Sequence, residues 1–349
     1  MIGFFERCKI KTCEINRPSF PAMFPFRLHR FPTLIQSKQG RLITMGLLLL
    51  SAPCLNAATS QVIGTYPVTV PPGNSAWVSG LVTADDYEGA AVTVTADVDG
   101  KALVTFSSPG WTAAQFNLHY AEPQSGTSAG LAIDILSNTT DTLKLDATPS
   151  AAGLTSGMIF IVRKHATLAG LMPTGGGLAP FTDSVVLFGT TGLQTPYYFN
   201  NLTQTWIDAT PVDSSNVIVR PGQGFVINSL SGATVTIGTG DVCYVKATPT
   251  RVKANPNVPN LIGALNPLGT STTLGSLGIV STMQPFNDSL VTLTPGTLAQ
   301  GGTFLSNGTN LINGLGQNAT ATALPAGASV VINVNAAKNV IVAPVTVGP

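Results

Sequence analysis

Pro180-Phe-Thr-Asp-Ser-Val-Val186 and Pro285-Phe-Asn-Asp-Ser-Leu-Val291 are nearly one heptapeptide, written twice at an offset of 105 residues. The same offset matches Leu193 with Leu298, Phe199 with Phe304, Ile207 with Ile312, Ile227-Asn228 with Ile332-Asn333, and Val235 with Val340. One offset held across so many positions marks an internal repeat. Each matched apolar residue sits in a short run bounded by Gly, Pro or Asn, the pattern of strands between turns. The stretch therefore predicts two related β-units in the C-terminal part of the chain.

Composition extends that reading to the whole chain. Charged residues make up 9% of the 349 and apolar residues 44%, with 36 Gly and 25 Pro. Disordered chains need the reverse balance of charge and hydrophobicity. Thr, Val, Ala, Asn and Gly suit short strands and tight turns. The expected fold is all-β: an N-terminal β-domain over 58–165, then two sandwich- or barrel-like units at 166–245 and 271–349. An ordered connector over 246–270, too apolar for a free linker, joins them.

The charges are unevenly placed. Before residue 58 there are eight Lys/Arg and two Glu; from Ala58 onward there are nine Lys/Arg and 14 Asp/Glu. The acidic body lacks the basic footprint of a nucleic-acid partner. Residues 1–57 read as a leader. Arg27, Arg30, Lys38 and Arg41 precede the apolar run Leu42–Ala52, and small residues follow at Asn56-Ala57-Ala58. Basic region, short apolar core and small-residue exit are the parts of a secretory signal peptide, with cleavage after Ala57 or Ala58. The run is too short to span a bilayer, and the mature chain is expected to have no membrane span. Cys8, Cys13 and Cys54 fall in the leader. Cys243 is left alone in a strand-like run, which excludes an internal disulfide or a cysteine zinc site in the mature chain.

Between Ala58 and the first unit, the run Ala91–Phe106 reads as a hairpin that turns at Asp99-Gly100, the dipeptide that a two-residue type I′ turn prefers. Gly126-Thr-Ser-Ala-Gly130 matches the nucleophile-elbow pattern, but that motif needs a strand before it and a helix after it, and here an alternating strand follows. A polar loop is the better reading. Thr174-Gly-Gly-Gly177 and Arg220-Pro-Gly-Gln-Gly224 lack the Lys-Ser/Thr ending of a phosphate loop. Asp183 and Asp288 are read as turn residues accepting backbone N–H groups rather than as a catalytic pair.

An ordered series of motifs is similar to a known family. The run Ser125–Gly130 through Ile135–Asp146 carries it, with Asp183–Phe188, Tyr197–Asn201, Trp206 and Asn216–Ile227. Together they resemble an uncharacterised family of exported β-rich proteins found in verrucomicrobial bacteria. The second unit departs from that pattern, lacking the Tyr-Tyr and Trp residues. The resemblance implies export and a β architecture and assigns no site residues.

The functional expectation is an exported, non-enzymatic structural or surface-interaction protein, located in the periplasm, at the cell surface or outside the cell. Its partners would be other copies of itself or extracellular polysaccharide. The alternatives are a polysaccharide-binding module and, more weakly, a hydrolase built on scattered carboxylates. No catalytic residue, metal ligand or cofactor is assigned. The candidate ligand contacts are Tyr198 and Trp206. If Asn200–Thr205 is a hairpin loop, and Phe199 and Ile207 share the packing face, the two rings form an outward platform suited to stacking on a sugar.

Overall fold

The computed structural model describes residues 61–63, 66–79, 85–189, 192–237, 243–245, 248–263, 272–294, 299–325 and 328–344. The leader, with the signal peptide expected in it, lies outside these residues, as does the Cys243 side chain. Strands dominate, with a few helical turns such as the four-residue α-helix Leu168–Leu171. The all-β class expected from the Thr- and Val-rich runs is the class observed.

Six strands close a barrel: Asp85–Ala96, Ala102–Phe106, Thr142–Leu145, Ile133–Asn138, His119–Pro123 and Ile159–Lys164, in that order around the wall. Period-two alternation sends Ala102, Val104, Phe106, Leu143 and Leu145 inward. The centre is aromatic. Trp111 packs edge-on against Phe106 and Phe116 at centroid separations of 5.3 and 5.0 Å, a favoured ring geometry. The Asp99-Gly100 hairpin differs from the two-residue turn expected. Ala96 pairs with Ala102, the Gly100 N–H donates to Asp97 O at 2.9 Å, and φ is positive at Gly100 but not at Asp99. This is a three-residue type I loop closed by a glycine bulge.

The other strands build two units with matching pairings. In the first, Ser184–Gly189 lies between Gly224–Ser229 and Tyr197–Asn200, with Thr205–Ile207 at the edge. In the second, Ser289–Leu293 lies between Ser329–Asn333 and Gln300–Ser306, with Leu311–Ile312 at the edge. Val185 pairs with Ile227 as Leu290 pairs with Ile332.

Two further strands of each unit lie upstream of the positions where the sequence repeat begins. Tyr66–Val70 pairs with Ala233–Ile237, and Asn74–Ser79 with Gly224–Ser229. In the second unit Thr250–Ala254 pairs with Lys338–Val342, and Asn260–Ile262 with Ser329–Asn333. Val68 stands opposite Val235 as Val252 stands opposite Val340, and Ala76 opposite Ile227 as Asn260 opposite Ile332. For these strands the offset between units is 184 residues instead of 105. The difference is the barrel, which is inserted between the second and third strands of the first unit. The boundaries read from sequence change accordingly. Residues 66–79 belong to the first unit rather than to the N-terminal domain, and much of the 246–270 connector forms the opening strands of the second.

Each unit has its own core, around Phe225 and Ile227 in one and Leu290 and Ile332 in the other. A third cluster joins them: Val186, Phe188 and Val226 from the first unit against Val291, Leu293, Val331 and Leu261 from the second. Val186, Phe188 and Val226 are the 105-offset counterparts of Val291, Leu293 and Val331. The units therefore meet through the same sheet face, as subunits do across a two-fold axis. Ser184–Gly189 is apolar on both faces for this reason: Val185 and Leu187 enter its own core, and Val186 and Phe188 enter the joint.

Candidate functional site

The repeated heptapeptide forms the same turn in both units. Asp183 N–H donates to Ala179 O at 3.0 Å, and Asp288 N–H to Gln284 O at 3.1 Å. Both carboxylates are fully buried. Asp183 accepts Ala179 N–H at 2.9 Å, Leu230 N–H at 2.8 Å and the Ser231 hydroxyl at 2.9 Å. Asp288 accepts Gln284 N–H at 2.7 Å, Asn335 N–H at 2.9 Å and Lys338 Nζ at 2.5 Å. Each thus ties its turn to the hairpin between the last two strands of its unit. Burial alone would raise both carboxyls, but these donors outweigh it and hold them below the ordinary Asp range. The aspartates are structural acceptors, in keeping with the turn reading.

The residue two before each aspartate is a phenylalanine held out to solvent. Phe181 and Phe286 are 51% and 66% exposed. Both have left-handed backbone, φ 57° and 58°, although a bulky side chain disfavours it. Phe181 N–H donates to Phe199 O at 3.2 Å and Phe286 N–H to Ser306 O at 2.7 Å, fixing the conformation.

The predicted aromatic platform is not formed. Phe199 pairs with Trp206, and Tyr198 with Ile207, so Tyr198 and Trp206 take opposite faces of the hairpin. Trp206 is 1% exposed, packs 5.8 Å from the Phe199 ring and donates its indole N–H to Met172 O at 3.3 Å. Tyr198 and Ile207 are half-buried together on the other side. The parity of the loop decides this: a register change of one residue reverses every side chain of the strand. The second unit departs further. Ser289 pairs with Leu305, whereas Ser184 pairs with Tyr198, so its strand is displaced by two residues, although four residues join the last ladder pair in each unit, Asn200 with Thr205 and Ser306 with Leu311. A displacement of two keeps the face, and Phe304 is buried like Phe199 although it occupies the position of Tyr197.

The other motifs also have structural roles. Ser128 is buried, and among the described residues its hydroxyl has no hydrogen-bond partner and no base beside it. The loop around it docks the barrel on the second unit. Arg251 N–H donates to Gly130 O at 3.1 Å and Arg251 Nε to Ala129 O at 2.6 Å. Gly130 has φ 79°, and a Cβ there would overlap the Pro249 carbonyl. In the 174–177 cluster a Cβ on Gly175 would come within 2.6 Å of the Phe199 ring, so close packing explains that glycine. The barrel's outer residues Tyr120, Glu122 and Arg163 are covered as well. Arg163 pairs with Asp85 and lies 3.7 Å from Glu122, which also accepts the Thr248 hydroxyl at 2.7 Å. His119 holds Asp86 at 2.9 Å.

A cleft of about 510 Å³ opens where the barrel and the two units converge. The barrel contributes Leu131 and Ala132, the first unit Phe188, Arg220 and Gln223, and the second Arg251, Lys253 and Asn339. Arg220 makes a bidentate pair with Asp134, 2.7 Å on each arm, and His165 Nε2 lies 3.1 Å from the same carboxylate. Burial would raise Asp134, but His165 and Arg220 hold it far below its usual range. Arg220 is thereby a strut between the first unit and the barrel. Sequence reasoning missed this cleft, because its walls come from three separated segments.

Among the described residues there is no group of three His, Cys, Asp or Glu placed to hold a metal ion, and no helix long and apolar enough to cross a membrane. Compared with protein-family models, with curated proteins and with solved structures, the chain matches none.

Proposed function

We propose that the chain is an exported, non-enzymatic structural or surface-interaction protein, and that Phe181 and Phe286 are its contact points. The observation that supports this is the pair itself: two exposed rings, each in left-handed backbone, at the same place in both units. Left-handed backbone costs a side-chain-bearing residue about 1–2 kcal/mol, and Gly or Asn would occupy it more cheaply. Strain held at an exposed apolar residue is typical of a binding surface. Two such points on one rigid frame suit bivalent contact, which multiplies weak single affinities. The partner is a second copy or an extracellular polymer. Export rests on the basic and apolar pattern of residues 23–58 and on the resemblance to the verrucomicrobial family. The aspartates of the repeated turn already act as structural acceptors, which weighs against a carboxylate hydrolase.

The test is the double variant Phe181→Asn, Phe286→Asn. Light scattering of the purified protein and its retention on the surface of the producing cells are measured beside the parent. The parent should assemble or be retained and the variant should not, while its melting temperature stays level or rises. Equal assembly and retention by both proteins would refute the proposal. Polysaccharide binding is the second reading, and the converging cleft favours it.

A further inference from the structure

The cleft holds polar groups that the protein itself does not use. Arg251 and Lys253 are two apart on the strand Thr250–Ala254, so they project from one face about 7 Å apart. Val252 between them packs on the second unit's core. Asn339 stands directly opposite Lys253 in the ladder. The Arg251 backbone and Nε are anchored to the barrel loop, which leaves the outer guanidinium edge, Nη1 and Nη2, without a partner among the described residues. Lys253 Nζ and the side-chain amides of Asn255 and Asn339 are likewise without partners there. None of the described lining residues is acidic. Two uncompensated cations therefore converge on a body in which acids outnumber bases, where chance would place carboxylates beside them.

The geometry points to a binding site for a carboxylate-bearing saccharide, a uronate unit of an acidic polysaccharide, in the cleft bounded by Arg251, Lys253, Asn255 and Asn339. The free Nη edge of a guanidinium presents two parallel N–H donors, which match a carboxylate. The ammonium of Lys253 adds a second charge on the same face. The amides of Asn255 and Asn339 each offer a donor and an acceptor, as vicinal hydroxyls require. Leu131 and Phe188 supply apolar wall for the C–H faces of the ring. No described lining residue offers an exposed aromatic platform of the kind that single-stranded nucleic acid uses. The volume lies in the range of small-ligand sites at domain junctions. The site deepens the polysaccharide reading and is independent of Phe181 and Phe286, so the two proposals fail separately.

The experiment is calorimetric titration of the intact mature chain with a short oligogalacturonate. A neutral oligoglucose, monomeric galacturonate, a sulfated oligosaccharide and inorganic phosphate serve as parallel probes. The oligogalacturonate should bind, the monomer more weakly, the neutral sugar and phosphate not measurably, and affinity should fall as salt rises. Lys253 is exposed and makes no internal bond, so Lys253→Ala should fold normally and lose about tenfold in affinity, with Lys253→Glu abolishing binding. Arg251→Lys, which keeps the charge but loses the fork, should lose a similar factor, with circular dichroism confirming its fold. The double Phe→Asn variant should bind like the parent. Failure of the oligogalacturonate to bind, equal binding of the neutral sugar, preference for the sulfated one, or indifference to Lys253→Glu would each overturn the assignment.

Discussion

Replacing Asp183 by Ala isolates the interaction that defines the repeated turn. The buried carboxylate accepts Ala179 N–H, Leu230 N–H and the Ser231 hydroxyl, at 2.8 to 2.9 Å. A hydrogen bond to a charged acceptor contributes about 1.5–3 kcal/mol, and a buried donor left unpaired costs more than a solvated one. Leu230 and Ser231 are exposed, so water reaches their freed groups, while Ala179 is only partly reached. The lower end applies to two of the three bonds, and the sum is about 4.5–6 kcal/mol. Asp183→Asn keeps the shape but turns an N–H toward one of the donors, and should cost about 2–3 kcal/mol. Asp288→Ala should match Asp183→Ala, since it removes two backbone partners and Lys338. Urea denaturation followed by tryptophan fluorescence measures each value. The folded carboxyls titrate below the unfolded Asp value of about 3.9, so their stabilisation is complete above that pH. It is lost as pH falls through the folded value, and the Asn variants should lose less on acidification. A loss under about 1 kcal/mol for Asp183→Ala would refute the claim that this residue holds the turn to the hairpin.

Other outcomes test the remaining architecture. Trp206→Ala should cost about 3–5 kcal/mol in the same denaturation assay and leave any ligand binding by the folded fraction unchanged, because the ring is core. Gly130→Ala should loosen the barrel from the second unit, which limited proteolysis near Pro249 would detect, while a separately probed barrel core keeps its near-ultraviolet aromatic signal. Replacing residues 80–165 by the stretch 264–271, which follows the corresponding strand of the second unit in the chain, should leave both units folded with one cooperative melt; a broad, non-cooperative transition would contradict insertion of the barrel. Phe106→Ala should cost about 3–5 kcal/mol through the edge-to-face cluster it shares with Trp111 and Phe160.

Local chemistry made the strands and the repeated turn legible. Val-, Ile- and Thr-rich runs between Gly, Pro and Asn have few other ways to fold, and a buried aspartate in a turn needs its backbone donors, so Asp183 and Asp288 could be read correctly one heptapeptide at a time. The membership of two strands in each unit escaped, because Tyr66–Ser79 and Thr250–Ile262 share few residues and their kinship lies in their pairing partners: Val68 with Val235, Val252 with Val340. The inserted barrel hid them further by changing their offset. Burial of Trp206 depended on the parity of one hairpin loop, and a single residue there decides which ring meets the core. The doubly buried runs Val185–Phe188 and Phe225–Ile227 hinted at a covered second face, but only tertiary packing showed that the other unit's equivalent face covers it. The cleft is the extreme case. Arg220, Lys253 and Leu131 are unremarkable in sequence, and only the convergence of three separately folded segments gives Arg251 and Lys253 a common space with their charges unmet.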